Sequence, residues 1–181
     1  MVVEETFLKG CYIIRPKVFK DERGYFLETF NEKAFSKETG ITTPFVQDNL
    51  SKSSKGVLRG LHFQEGTAAQ AKLIHVISGR VLDVCVDLRK NSPTFGKHFS
   101  LHLDGLSKVQ LYVPRGFAHG FIVLEDDTIF SYKCDNYYDK ASESGIIFND
   151  KTLDIDWSFP EEAMIVSEKD KNLLTFETLF R

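Results

Sequence analysis

Between residues 45 and 134, short runs of β-branched and aromatic residues recur at near-regular spacing, at 45–51, 56–64, 72–78, 80–88, 97–103, 110–114, 118–124 and 128–133. Ser78-Gly79 and Leu103-Asp104-Gly105 separate neighbouring runs and read as turns. Two earlier runs, 11–19 and 25–30, flank the turn-like Lys20-Asp21-Glu22-Arg23-Gly24. Segment 31–39 is the one clear short helix, with Asn31 as N-cap, Ala34 and Phe35 facing inward and Gly40 at its end. The tail, 137–181, mixes acidic turns with short apolar pieces and is expected to pack as small helices. Many short strands with such punctuation predict a mostly β, antiparallel sandwich or barrel rather than a parallel sheet. No repeat, linker or low-complexity segment interrupts the pattern, so 1–181 is read as a single domain.

Composition narrows the function classes. A chain of 181 residues is long enough for one substantial core. The net charge is −3 and the basic residues are scattered, with one local cluster at 52–55, which argues against a nucleic-acid partner. Three cysteines, Cys11, Cys85 and Cys134, are far apart in sequence and form no C-x-x-C pair. They speak against a disulfide framework or zinc knuckle and for a reducing compartment. No basic segment precedes an apolar run at the start, and no apolar stretch reaches membrane-spanning length, so a cytoplasmic protein with no membrane partner is expected. Most of the 16 phenylalanines and 6 tyrosines should be core, with a few left to meet a ligand.

The richest chemistry lies in Val57–Gln64, V-L-R-G-L-H-F-Q. His62 can take and return protons near neutral pH, and Arg59 offers a planar fork suited to phosphate. In an ideal strand these two point to opposite faces, so they share a pocket only if the strand bends or bulges, for which Gly60 is the natural place. Gln47-Asp48-Asn49, Lys72, His119 and Tyr132 are further polar residues set in strand-like runs. Burying so many is costly unless they face a polar ligand, which favours a solvated mouth. Lys72 suits stabilisation of an enolate oxygen, and Tyr132 suits proton delivery from the face opposite a base. His75, His98 and His102 have no motif context and read as surface or structural, Trp157 as packing and Cys85 as a small buried hydrophobe.

Pro114-Arg115-Gly116-Phe117-Ala118-His119 resembles the second motif of the cupin superfamily. That resemblance implies an antiparallel jelly-roll (cupin-like) barrel with a few short peripheral helices. Metal-binding cupins place His-x-His and a glutamate in their first motif. Here the place reads His62-Phe63-Gln64, followed by Glu65 and no second histidine, too few ligands for a catalytic metal.

Ordered blocks along nearly the whole chain resemble the dTDP-4-dehydrorhamnose 3,5-epimerase family of cofactor-free cupins. They are 21–28 (D-E-R-G-Y-F-L-E), 45–49 (F-V-Q-D-N), 57–64, 70–73 (Q-A-K-L), 87–96 (D-L-R-K-N-S-P-T-F-G), 114–119, Tyr132, Tyr138, Glu143 and 167–170 (S-E-K-D). The resemblance implies epimerisation of dTDP-4-keto-6-deoxy-D-glucose at C3 and C5 to dTDP-4-keto-L-rhamnose, no cofactor and a homodimer. By the same resemblance His62 is the base, Asp170 orients it, Tyr132 is the acid and Lys72 steadies the enolate. Arg59 and His119 would serve the sugar–diphosphate, with Arg23 contributing from a neighbouring subunit. Glu28 and the Gln47-Asp48-Asn49 triplet would contact the nucleotide, Phe26 and Tyr138 would pack against it, and Glu143 and Lys169 would complete the pocket. The loop at 65–69, E-G-T-A-A, lacks the prolines usual in the family. Rival readings are an enzyme of this fold that inverts one carbon, a ketoisomerase of a related nucleotide sugar, and a non-catalytic sugar-binding jelly roll.

Overall fold

A computed structural model describes residues 1–181. Fourteen strands account for the predicted runs. They are β1 (Val2–Glu5), β2 (Tyr12–Arg15), β3 (Val18–Asp21), β4 (Gly24–Leu27), β5 (Gln47–Ser53), β6 (Val57–Gln64) and β7 (Lys72–Ser78). There follow β8 (Arg80–Asp87), β9 (His98–Asp104), β10 (Gln110–Val113), β11 (Phe117–Val123), β12 (Thr128–Cys134), β13 (Glu143–Gly145) and β14 (Ile165–Val166). One sheet runs β1-β2-β10-β7-β12-β5 and the other β13-β6-β11-β8-β9, with β14 added beside β6. Every pairing is antiparallel except β14 with β6. The two sheets lie face to face in the jelly-roll manner and share no hydrogen-bonded ladder.

Strand alternation explains how three apolar layers arise from this arrangement. Between the sheets, Ile74, Val76, Leu111 and Phe130 of the first meet Val81, Cys85, Phe121 and Val123 of the second. On the far face of the second sheet, Leu58, Leu82, Val84, Val86 and Ile122 are covered by Ile146, Phe148, Trp157 and Phe176 from the tail. On the far face of the first, Ile14, Leu73 and Tyr112 are covered by Phe35. β8 is buried on both faces, which is why its sequence is nearly continuous in apolar residues.

Phe35 belongs to helix α1 (Glu32–Thr39). Asn31 caps it, accepting from the Ala34 amide, and Gly40 ends it in the left-handed region at φ 74°, as the sequence predicts. Helices α2 (Glu168–Lys171) and α3 (Phe176–Phe180) belong to the tail. The predicted run 11–19 is two strands, because Pro16 has no amide hydrogen for the ladder. β1 escapes the sequence pattern, since V-V-E-E is too short to show alternation.

Cys11 and Cys85 are fully buried between the sheets with their sulfurs 3.8 Å apart, and Cys134 is also fully buried. The β3–β4 hairpin forms a separate two-stranded ribbon that leaves Phe19, Tyr25 and Phe26 at least half exposed. No helix is long and apolar enough to cross a membrane.

Candidate active site

A cavity of about 670 Å³ opens between the sheets, and His62 forms part of its wall. β11 and β6 pair His119 with His62 and Phe121 with Arg59, so two steps on β11 match three on β6. The extra residue makes a bulge in β6, and it changes which way the strand's side chains point. Leu58 and Leu61 both face the outer core, while Arg59 and His62 both line the cavity. Gly60 carries the bulge at φ +125°, and a Cβ there would lie 2.5 Å from the Gly120 Cα. Glycine is required on both counts.

His62 Nε2 lies 2.8 Å from Asp170 Oδ1, and no other group engages the ring. The carboxylate selects the tautomer with hydrogen on Nε2, leaving the Nδ1 lone pair free as a base. Asp170 sits on α2, its amide held by the capping oxygen of Ser167 at 3.1 Å. Burial opposes its ionisation. Hydrogen bonds from His62 and the Gly60 amide, with the charge of His62, prevail and hold it below the usual carboxylate range.

The opposite wall belongs to the other sheet. Lys72 from β7 and Tyr132 from β12 face the cavity, with the ammonium 5.7 Å from the centre of the phenol ring. Neither functional group has a hydrogen-bond partner in the protein, and no buried side-chain polar atom is left unpaired, so both open to the cavity. Burial pushes the Lys72 pKa down, against the pull of Cys134, Asp83 and Glu143. Burial also raises the Tyr132 phenol, so it stays protonated and able to act as an acid. Arg59 reaches the same space and is tethered to Ser53 Oγ at 3.3 Å.

Asn49, Ser51, Ser167 and Lys169 complete the polar lining, and an arc of hydrogen bonds joins Asn49 to Lys169 around the rim. Gln47 donates to Asn49, the Tyr138 amide donates to Gln47, Tyr138 Oη donates to Glu143, and Glu143 pairs with Lys169 at 2.5 Å. Leu50, Val57, Phe121, Ile165 and Val166 form the apolar part.

Asp48 is not brought in. It follows Gln47 by one residue on a strand, so it points to the outer face, where it pairs with Lys133 at 2.8 Å. Arg23, Phe26 and Glu28 also stand apart from the cavity of their own chain. Arg23 and Phe26 border a shallow surface pocket on the hairpin, and Glu28 accepts from Asn31. His119 is in the lining but almost fully buried, its Nε2 2.9 Å from Asp83. Asp83 was missed by sequence reasoning, although an aspartate in the middle of V-L-D-V-C-V was a visible signal. Gln64 has a structural use, donating to the Ala68 and Tyr137 carbonyls and accepting from the Asp139 amide. With Asn136, which donates to the Thr67 carbonyl, it ties down the proline-free loop at 65–69.

The sequence matches the family model described as dTDP-4-dehydrorhamnose 3,5-epimerase over residues 5–178. The dTDP-4-dehydrorhamnose 3,5-epimerase of Shigella flexneri is 50% identical over 95% of this chain and 94% of its own. The crystal structure of the enzyme of that name from Elizabethkingia anophelis NUHP1 superposes with a TM-score of 0.95 at 59% identity, covering 98% of this chain and 97% of that one. The dTDP-6-deoxy-D-glucose-3,5-epimerase of Legionella pneumophila Philadelphia 1, solved in complex with dTDP-4-keto-L-rhamnose, gives 0.93 at 45% identity, over 97% and 93%. With the family model matched over residues 5–178 and relatives of that name covering nearly the whole chain, this chain belongs to the dTDP-4-dehydrorhamnose 3,5-epimerase family.

Proposed function

We propose that the protein epimerises dTDP-4-keto-6-deoxy-D-glucose at C3 and C5 to dTDP-4-keto-L-rhamnose, using its own side chains as acid and base. One observation carries the mechanism: an imidazole backed by a buried carboxylate on one sheet faces a lysine and a tyrosine on the other. A C–H bond beside a ketone becomes acidic when the resulting anion spreads onto oxygen. His62 Nδ1 removes that proton, the C–H electron pair passes into the C4 enolate, and Lys72 stabilises the negative O4. Tyr132 then returns a proton to carbon from the opposite wall, and the enolate collapses to the ketone with the centre inverted. The tyrosinate recovers its proton from solvent, and His62 gives its own up. Asp170 holds the imidazole in the required tautomer throughout.

Arg59 and His119 are placed to receive the sugar–diphosphate, and Asn49, Gln47, Tyr138, Glu143 and Lys169 form the rim that receives the nucleotide. Arg23, Phe26 and Glu28 lie away from their own cavity on or beside an exposed aromatic hairpin. They fit a homodimer in which each hairpin serves its partner's site. A dTDP-linked substrate and three unpaired thiols are in keeping with a cytoplasmic enzyme.

The test is incubation with dTDP-4-keto-6-deoxyglucose in D₂O, followed by NMR. Deuterium at both C3 and C5 is the expected result; one labelled carbon reduces the activity to a single centre, and none overturns it. His62→Ala should lose at least about 10²-fold in exchange while dTDP still binds.

A further inference from the structure

Asp83 enters no step of the mechanism above, yet it is the most enclosed carboxylate near it. It projects from β8 into the space between the sheets and is 0% exposed. Both its oxygens reach one donor, His119 Nε2, at 3.0 and 2.9 Å, and nothing else hydrogen-bonds to them. A buried carboxylate with a single donor is poorly compensated and needs a positive charge nearby. Two cations face the cavity without an ion-pair partner within contact distance, Arg59, which is tethered to Ser53 Oγ, and Lys72.

Around Lys72 stand Asp83 on β8, His119 on β11, Tyr132 and Cys134 on β12 and Glu143 on β13, and the same cavity is lined by Arg59 and His62 of β6 and by Lys169 and Asp170 of α2. His119 opposes a charge on the lysine. Tyr132 is held neutral by burial, which likewise pushes the Cys134 thiol up to about 11. Glu143 is already committed to Lys169 at 2.5 Å, and Asp170 to His62 at 2.8 Å. Asp83 is the anion left for Lys72. Its grip on Nε2 leaves Nδ1 of His119 as the ring nitrogen without a protein partner, at the cavity surface.

We infer that Asp83 is a positioning residue of the epimerisation: it fixes the His119 imidazole with Nδ1 presented to substrate and is the buried counter-charge of the Lys72 ammonium. This rests on the epimerase reading and adds a residue to it. Asp83→Asn keeps the shape and removes the charge. Without the anion, Lys72 loses its proton more readily, so the basic limb of the kcat–pH profile moves to lower pH by about one unit. On that limb kcat falls by up to about tenfold, the most a one-unit displacement allows, while KM and dTDP affinity stay within about threefold. A basic limb that stays in place overturns the inference, whether activity is unchanged or uniformly reduced. The tautomer is read on the unmodified protein by ¹⁵N NMR of its histidines, so it does not depend on the variant folding. Hydrogen on Nε2 of His119 supports the assignment, and hydrogen on Nδ1 overturns it. Failure of the unmodified enzyme to exchange deuterium would sink the epimerase reading itself, whereas an active enzyme with an unmoved limb in Asp83→Asn sinks Asp83's role alone.

Discussion

Gly60 decides whether the site exists. Its bulge turns Arg59 and His62 toward the same cavity, and its missing side chain lets β6 approach Gly120 of β11. Gly60→Ala would place a methyl 2.5 Å from a backbone atom in a left-handed conformation that L-residues avoid. We expect a loss of roughly 2–4 kcal/mol of stability from overpacking and strain. A lower urea midpoint at unchanged slope would verify it, and wild-type stability would show that β6 does not need glycine there. The need for a bulge was legible in the sequence, because two residues three apart cannot share a strand face. The same parity argument places Asp48 outside, beside Lys133, and was available from the sequence too. Partners distant in the chain were not: the ring of His119 and the carboxylate of Asp83 meet only because β11 and β8 pair.

Among the elements, the loop after β8 shows how a motif of the family can be structural. Asp87, 0% exposed, accepts from the amide, Nε and Nη2 of Arg89, from Ser92 and from Thr94, at 2.5–3.0 Å. Burial opposes its ionisation, but these donors win and hold its pKa at about 2. Because the folded value lies below the unfolded one of about 3.9, the contribution is present above about pH 4 and fades as pH falls through about 2. Asp87→Asn should therefore cost about 2 kcal/mol at neutral pH, and the gap to wild type should narrow at about pH 2.5. Urea midpoints at the two pH values check this; a gap that stays constant would mean the charge is not the cause. Strands from β5 to β12 were legible because alternation and turn residues agree along them. β1, β13 and β14 were not, since two to four residues carry no period and owe their form to the strands they join.

At the scale of the whole molecule, the β3–β4 hairpin presents an aromatic surface to solvent. Phe19, Tyr25 and Phe26 are 50%, 57% and 67% exposed, and Arg23 stands beside them, paired only with Asp21. If Arg23 serves the partner's site, two defective proteins should repair each other. Arg23→Ala and His62→Ala chains, unfolded and refolded together at equal concentration, would then form hybrid dimers with one intact site each. Activity should recover to about a quarter of wild type by random pairing. No recovery would mean that both residues act within one chain. The buried thiols give the fold a further property. Cys11 and Cys85 lie between the sheets, whereas Cys134 is covered by Asn49 of the edge strand β5. A thiol reagent in solution can reach the first pair only when the sandwich parts, and the third when its edge frays. The chain thus carries two built-in clocks: one for the breathing of its core, the other for the border of its own active site.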